Sequence, residues 1–300
     1  MQLDNRKTQA LLAVIDSGSF EQAAQQLHLT PSAVSQRVRA LETELGMPLV
    51  VRSRPCRTTH AGRFLVQYLR RQCALEEEFS QSFLDLRNAP LRLGLAVNND
   101  TLATWLLPAL ADFVQQQRLL LDIRVDDQDH THAQMEAGLV LGCISSSSRA
   151  MRGCTALPLG IMRYRLVASP AFQRQYFPDG LQREAARYAP VMVFDRKDRL
   201  QADFLLRELG LPDEAYPCHY LPSSDAFIGA IRLGFGYGMV PEQQLADDIA
   251  RQRLVDLAPH RPSDVPLFWH HWTVQSPRFE ELSQCIADHA AKVLLPMSAV

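Results

Sequence analysis

The stretch from Ser19 to Val38 constrains the fold more than any other part of this 300-residue chain. Ser19 is a good N-cap residue, and Gln22 stands three residues later, the spacing of a capping box. Phe20, Ala23, Ala24 and Leu27 follow at i, i+3, i+4 and i+7, which predicts a helix with one apolar face. The two alanines are small enough to let a second helix pack closely. Thr30 can cap that second helix, with Pro31 at its first position, where a missing N–H costs nothing. Val34, Val38, Leu41 and Leu45 then fall on one side, and Ser32, Ser35, Gln36 and Arg39 on the other; Gly46 supplies the C-terminal stop. Two short helices joined by a tight turn have the geometry of a helix-turn-helix, whose second helix enters a DNA major groove.

The polar side of the second helix carries residue types that read base edges: Gln pairs bidentately with adenine, Arg with guanine, Ser with either. Any amphipathic helix has a polar side, so an ordinary solvated face is the alternative. The flanks favour DNA. Residues 49–58 read as a short β-hairpin wing, and Arg52, Arg54 and Arg57 on or beside it suit phosphate oxygens. With Ser32, Ser35, Gln36, Arg37 and Arg39 they make up the candidate DNA contacts. Residues 1–71 hold 10 Lys+Arg and 5 Asp+Glu, a net of +5; the whole chain is −2, which leaves −7 for the remainder. A basic head on an acidic body is the charge pattern of a DNA-binding domain joined to one that does not touch DNA.

From 59 to 86 the pattern predicts one long helix, with Ala61, Phe64, Leu65, Tyr68, Leu69, Leu75, Phe79, Phe83 and Leu86 at roughly helical spacing. At ~1.5 Å per residue it would be about 40 Å long. A persistent apolar seam on such a helix usually packs on a partner copy, the alternative being the chain's own body. Asn88-Ala89-Pro90 breaks it. Strands are then expected at 91–97, 119–125, 140–144, 164–168, 191–194, 218–221, 237–240 and 268–274. Helices are expected at 102–116, 132–137, 197–209, 226–233 and 278–295. This alternation implies parallel sheets covered by helices, in two lobes with a cleft at the C-terminal strand ends.

Bulk properties exclude several classes. No apolar run approaches the ~18–20 residues of a membrane span. The start, Met1-Gln2-Leu3-Asp4-Asn5-Arg6, lacks a signal-peptide core, so a cytoplasmic, nucleoid-associated location is expected and a free-standing solute-binding protein disfavoured. The six cysteines, Cys56, Cys73, Cys143, Cys154, Cys218 and Cys285, show no CxxC spacing, and the pairs His130/His132 and His270/His271 lack further ligands nearby; no metal site is expected. No GxSxG, HExxH or P-loop pattern supports an enzyme, and Gly234-Phe235-Gly236-Tyr237-Gly238 has the wrong spacing for a dinucleotide loop.

The run from Thr8 to Arg70 resembles the N-terminal domain of LysR-type transcriptional regulators. The resemblance lies in Phe20-Glu21-Gln22-Ala23-Ala24, Leu29-Thr30-Pro31-Ser32-Ala33-Val34-Ser35, Leu41-Glu42-Thr43-Glu44-Leu45-Gly46 and Thr59-His60-Ala61-Gly62. Pro31 departs from the Gln often found there. The body is similar to the effector domain of the same regulators. Asn98-Asn99-Asp100-Thr101, Tyr176-Phe177-Pro178-Asp179-Gly180, Pro190-Val191-Met192-Val193-Phe194-Asp195, Pro217-Cys218-His219 and Ser223-Ser224-Asp225-Ala226-Phe227 look like the ArgP/LysG subgroup, regulators of lysine and arginine export. So does Gly142, where most of the wider family carries Asp. The resemblance implies an N-terminal all-α winged helix-turn-helix over 1–58, a linker/dimerisation helix over 59–89, and a two-lobed α/β periplasmic-binding-protein-like effector domain over 90–300. Lobe I would take about 90–162 and 268–300, and lobe II about 163–267. It further implies a homodimer or homotetramer on double-stranded DNA, contact with RNA polymerase, and control of an amino-acid exporter gene, chiefly by activation. No cofactor is implied beyond a small effector, L-lysine or L-arginine.

Such an effector brings a carboxylate, suited to a helix N-terminus, and two cations that need acids or carbonyls. Asn98, Asn99, Asp100 and Thr101 follow the first expected strand of the body, Asp126, Asp127, Gln128 and Asp129 the second, and Ser145 and Ser146 the third. Asp195 ends a strand of the second lobe, and Ser223, Ser224 and Asp225 precede a helix there. Each has an alternative: N-capping for Asp100 and Ser224, a solvated turn for 126–129, pairing with Arg196 or Lys197 for Asp195. Asp100 is the first choice among the acids. Two other readings stand beside this one: a sequence-tolerant architectural DNA binder, and a LysR-type regulator with a different effector.

Overall fold

The computed structural model describes residues 3–83, 91–125, 134–135 and 139–297. They fall into two compact units, Met1–Gly94 with Ala133–Leu141, and Leu95–His132 with Gly142–Val300.

The first unit opens with α1 (Asn5–Ser17), α2 (Phe20–Gln26) and α3 (Pro31–Leu45). The expected caps form: the Thr30 hydroxyl accepts from the Ala33 amide at 3.2 Å, and Gly46, at φ 71°, donates back to Glu42 and Thr43. The capping box at Ser19 differs from expectation in its partner. The Ser19 hydroxyl accepts from the Glu21 and Gln22 amides and donates to Glu21 Oε2 at 2.6 Å, while the Ser19 backbone N–H, which Gln22 would take in a capping box, goes to Ser17 Oγ at 3.4 Å. Ala10, Leu11, Val14, Ala23, Ala24, Val34, Val38 and Leu41 make the shared core. Close contact across small alanines excludes water from all three helices at once, and burying each larger side chain there contributes about 1.5–3 kcal/mol.

The wing is β1 (Val50–Val51) paired antiparallel with β2 (Arg57–Thr58). Its start is tied to α3, where Glu42 Oε1 accepts from the amides of Leu49 (2.8 Å) and Val50 (3.2 Å). Then comes α4 (His60–Phe83). The Thr59 hydroxyl donates to Pro48 O at 2.7 Å and accepts from Gly62 N at 3.0 Å. A Cβ on Gly62 would lie 2.0 Å from Leu49 O, so only glycine lets α4 start this close to the wing. The seam of α4 divides: Val66 and Leu69 join the core, while Phe64, Tyr68, Leu75 and Phe79 stay exposed.

The body begins at β3 (Leu91–Val97). An unbroken helical run follows, made of α5 (Asn99–Thr101), a π-helical segment Leu102–Leu106 and α6 (Leu107–Gln117). Beyond it come β4 (Leu119–Val125), β5 (Gly142–Ser145), β6 (Cys154–Ala168), α7 (Pro170–Tyr176), α8 (Arg183–Ala186), β7 (Val191–Val193), α9 (Leu200–Leu209), β8 (Cys218–Tyr220) and α10 (Ser224–Arg232). The chain closes with β9 (Gly238–Pro241), α11 (Ala246–Ala250), β10 (Val255–Asp256), β11 (Ser263–Trp272) and α12 (Pro277–Val293). The main sheet runs β10-β6-β11-β5-β3-β4, with β9 also on β6; β7 and β8 form a separate pair. The helix expected at 132–137 falls largely on residues outside those described.

The expected all-parallel sheet is corrected to a mixed one. β3–β5 and β7–β8 are parallel, as βα crossovers require, but β6 is antiparallel to β9, β10 and β11. After β5 the chain returns as a 15-residue strand, β6, of which the pattern at 164–168 was only the end. Pro158 and Gly160 interrupt its alternation, and the register shift at Leu267/Phe268 on β11 absorbs them as a bulge. Gly142 has a packing reason: a Cβ there would lie 2.2 Å from Trp269 Cη2. Trp269 is fully buried, and its indole N–H donates to Ser283 of α12 at 2.9 Å.

Candidate functional site

Along α3 the side chains of Ser32, Gln36 and Arg39 are exposed, and Ser35 and Arg37 are half-buried. Arg52, Arg54 and Arg57 are exposed on the wing. The structure therefore brings the expected basic and polar groups to the surface of the helix-turn-helix. Arg52 does more than face solvent. Its guanidinium lies 4.9 Å from the Phe20 ring centre, and both terminal nitrogens lie 3.5 Å from Ser35 Oγ. A cation over an aromatic face contributes about 0.5–1 kcal/mol at an exposed site. The wing is thus fastened to both helices of the motif through one side chain.

The body's cleft has about 580 Å³ of open space, its mouth included. Asn98, Asn99 and Asp100, where β3 passes into the helical run, supply one part of its lining; Tyr164 comes from the middle of β6. Phe194, Asp198, Leu200 and Gln201 come from the β7–α9 connection and α9, Ser224 and Phe227 from α10, and Met239 to Pro241 from β9. Among the described residues the lining holds two carboxylates and no Lys, Arg or His. Asp100 accepts from the Ser224 hydroxyl at 2.6 Å (Oδ1) and the Tyr164 hydroxyl at 2.9 Å (Oδ2). Burial pushes its pKa above the ordinary value; the two hydroxyls work against that rise and the charge of Asp198 adds to it. Asp198 accepts from the amides of Leu200 (2.9 Å) and Phe194 (3.3 Å) and from Gln201 Nε2 (3.2 Å). Gln201 is buried and accepts from Met239 N at 2.8 Å.

Of the expected cleft residues, the structure gathers Asn98, Asn99, Asp100 and Ser224. Asn98 also caps its helix, accepting from Thr101 N at 3.0 Å, and Thr101 itself is fully buried outside the lining. Ser145 and Ser146 are not in the lining either; Ser145 ends β5 in the sheet interior, its hydroxyl accepting from Ser147 N. Asp195 is turned away, because its Oδ1 is taken up by the amides of Lys197 (2.7 Å) and Asp198 (3.1 Å). It lines a neighbouring hollow with Arg196 and Arg199, which Asp198 and Gln201 also border. Asp225 is exposed, one residue past the inward-facing Ser224 on α10. Asp127 and Gln128, with Asp126 and Asp129, lie outside the described residues. Asp198, Gln201 and Tyr164 were not expected. Asp198 sits among the charges 195–199 with no pattern to separate it from them, and Tyr164 reads as an ordinary strand residue.

Among the described residues no group of three or more His, Cys, Asp or Glu could hold a metal ion. No helix there is long and apolar enough to cross a membrane.

A winged helix-turn-helix on the same chain as a two-lobed α/β unit with a polar cleft defines a DNA-binding regulator with a small-molecule domain. Residues 6–63 match the bacterial regulatory helix-turn-helix protein, lysR family, and residues 88–291 the LysR substrate binding domain. The chain belongs to the LysR family of transcriptional regulators, and within it is of the ArgP/LysG kind. It is 38% identical to the transcriptional regulator ArgP of Aeromonas salmonicida over 98% of this chain and 99% of the relative. It is 42% identical to ArgP of Pseudomonas aeruginosa over 90% of each. The crystal structure of ArgP from Mycobacterium tuberculosis is similar, with a TM-score of 0.85 at 36% identity over 99% of this chain and 100% of that one. Full-length LysG from Corynebacterium glutamicum with bound effector Arg matches at 0.80 and 33%, over 98% and 100%.

Proposed function

We propose that this regulator responds to a basic amino acid, L-arginine or L-lysine, and controls a gene for amino-acid export. The observation that carries the reading is the composition of the cleft: two carboxylates, Asp100 and Asp198, with no basic side chain among the described residues of the lining. A desolvated carboxylate without a cation is unfavourable by several kcal/mol, so a cationic ligand gains more here than a neutral one. Asn98, Asn99 and Ser224, at the starts of two helices, are suited to the ligand's carboxylate. The arginine bound by the related LysG supports the same class of ligand.

In this reading residues 1–58 bind DNA, 59–89 link and dimerise, and 90–300 bind the effector, with lobes at about 90–162 plus 268–300 and 163–267. Ser32, Ser35, Gln36 and Arg39 face bases, and Arg37, Arg54 and Arg57 face phosphates, with Arg52 bracing the wing. The exposed Phe64, Tyr68, Leu75 and Phe79 of α4 suit a homo-oligomer that sets two recognition helices in successive major grooves. Effector binding changes the angle between lobes, and through subunit packing the bending of DNA and contact with RNA polymerase. Protein acting this way resides in the cytoplasm on the nucleoid. Titration calorimetry with arginine, lysine and a neutral amino acid tests the ligand class. Heat with the two cations alone is the expected result; no heat with either removes the effector assignment and leaves the DNA assignment standing.

A further inference from the structure

We infer that Asp198 anchors the side-chain cation of the effector and sets its selectivity, while Asp100 takes the α-ammonium group. The inference rests on the proposed ligand class and adds a division of labour between the two acids. The α-carboxylate and α-ammonium of an amino acid are on one carbon and must bind together. The groups suited to the carboxylate, Asn99 and the backbone amide of Ser224 at the start of α10, belong to residues that line the cleft with Asp100, and the Ser224 hydroxyl donates its one proton to Asp100 at 2.6 Å. The groups around Asp100 therefore suit both α-groups. Asp198 is the other acid of the lining, and Phe194, Leu200 and Phe227 supply apolar surface for the intervening methylenes.

Asp198 is also held still. A carboxylate offers about four acceptor sites. Three are filled, by the amides of Leu200 and Phe194 and by Gln201 Nε2. Gln201 is itself fixed by Met239 N. One site is left for a ligand. Capping the first turn of α9 explains the Leu200 bond alone; it does not explain a carboxylate placed in a cleft whose lining already holds a second acid.

The test is calorimetry on the full-length protein with arginine and with citrulline, its uncharged isostere. Wild type is compared with Asp198→Asn and with Asp198→Ser, which keeps a capping oxygen. Wild type should prefer arginine by about tenfold or more. In the variants arginine should weaken by between about tenfold and a hundredfold while citrulline is unchanged, so the preference collapses. Equal losses for both ligands would reduce Asp198 to a helix cap, and an undiminished preference would overturn the assignment outright. Should neither variant fold, parity of arginine and citrulline on wild type overturns it, and a wild-type preference supports it. If wild type binds neither arginine nor lysine, the amino-acid reading fails separately. Putrescine against butylamine then decides for Asp198: a dication preference lost in the variants upholds the anchor, and none refutes it.

Discussion

Glu42 should control the wing. One oxygen of its carboxylate accepts from two consecutive amides, Leu49 at 2.8 Å and Val50 at 3.2 Å, and both residues are buried, at 1% and 8% exposure. Replacing it by alanine leaves two buried N–H groups without an acceptor. Each such orphan costs about 1–3 kcal/mol. Because a two-strand wing can relax and admit water, the lower part of the summed range applies, about 2–4 kcal/mol. Glutamine keeps a carbonyl in place but loses the charge assistance, at about 1 kcal/mol. The fitting assay is hydrogen exchange of the full-length protein, read at residues 46–58. Its protection reports local opening, which global unfolding of a multi-unit chain would blur. Glu42→Ala should lower protection of the Leu49 and Val50 amides roughly 30- to 700-fold, and Glu42→Gln about fivefold. Peptides covering the cleft should not change. Protection in Glu42→Ala within about threefold of wild type would refute the argument, as would an equal loss across the body, because either result would mean that this carboxylate does not hold the wing.

Other outcomes follow from the same structure. Gly62→Ala places a Cβ 2.0 Å from a backbone oxygen, so it should destabilise the helix-turn-helix unit by about 3 kcal/mol and abolish DNA binding; effector calorimetry should be unchanged. Asp100 has its pKa raised in the folded protein, so its contribution to stability is fully present below its unfolded pKa and is lost as pH rises through the folded value. Melting temperatures across the carboxylate range should therefore favour wild type over Asp100→Asn more at acid pH than at neutral pH, in the absence of effector; a flat difference would contradict the assignment of burial as the cause. Arg54→Ala should weaken DNA binding evenly across sequences and reduce the salt slope by about one, whereas Gln36→Ala should alter sequence preference, both read by fluorescence anisotropy at several salt concentrations.

The parts of this protein legible in its sequence are those fixed by neighbours a few residues apart. Thr30, Pro31 and Gly46 bound α3 by satisfying or dispensing with amides one turn away, and the spacing of Ala23 and Ala24 states which face packs. Even there the partner differs from the spacing's suggestion: the Ser19 N–H goes to Ser17 Oγ and not to Gln22. The basic head and acidic body needed only counting. The cleft is a different matter, because its walls come from β3, β6, β9, α9 and α10, which are distant in the chain. Asp195 and Asp198 are three residues apart in one charged turn and differ in nothing the sequence displays. Folding ties the Asp195 carboxylate to the amides of Lys197 and Asp198 outside the cleft lining, and holds that of Asp198, by the amides of Leu200 and Phe194 and by Gln201, where it borders both the cleft and the neighbouring hollow. Tyr164 becomes a partner of Asp100 only because β6 is long enough to carry it there through its pairing with β11. Sequence alone determined that a DNA-reading head is joined to an acidic α/β body. Which acids meet a ligand was decided by tertiary structure, since a charge's worth in a cleft depends on what surrounds it in space.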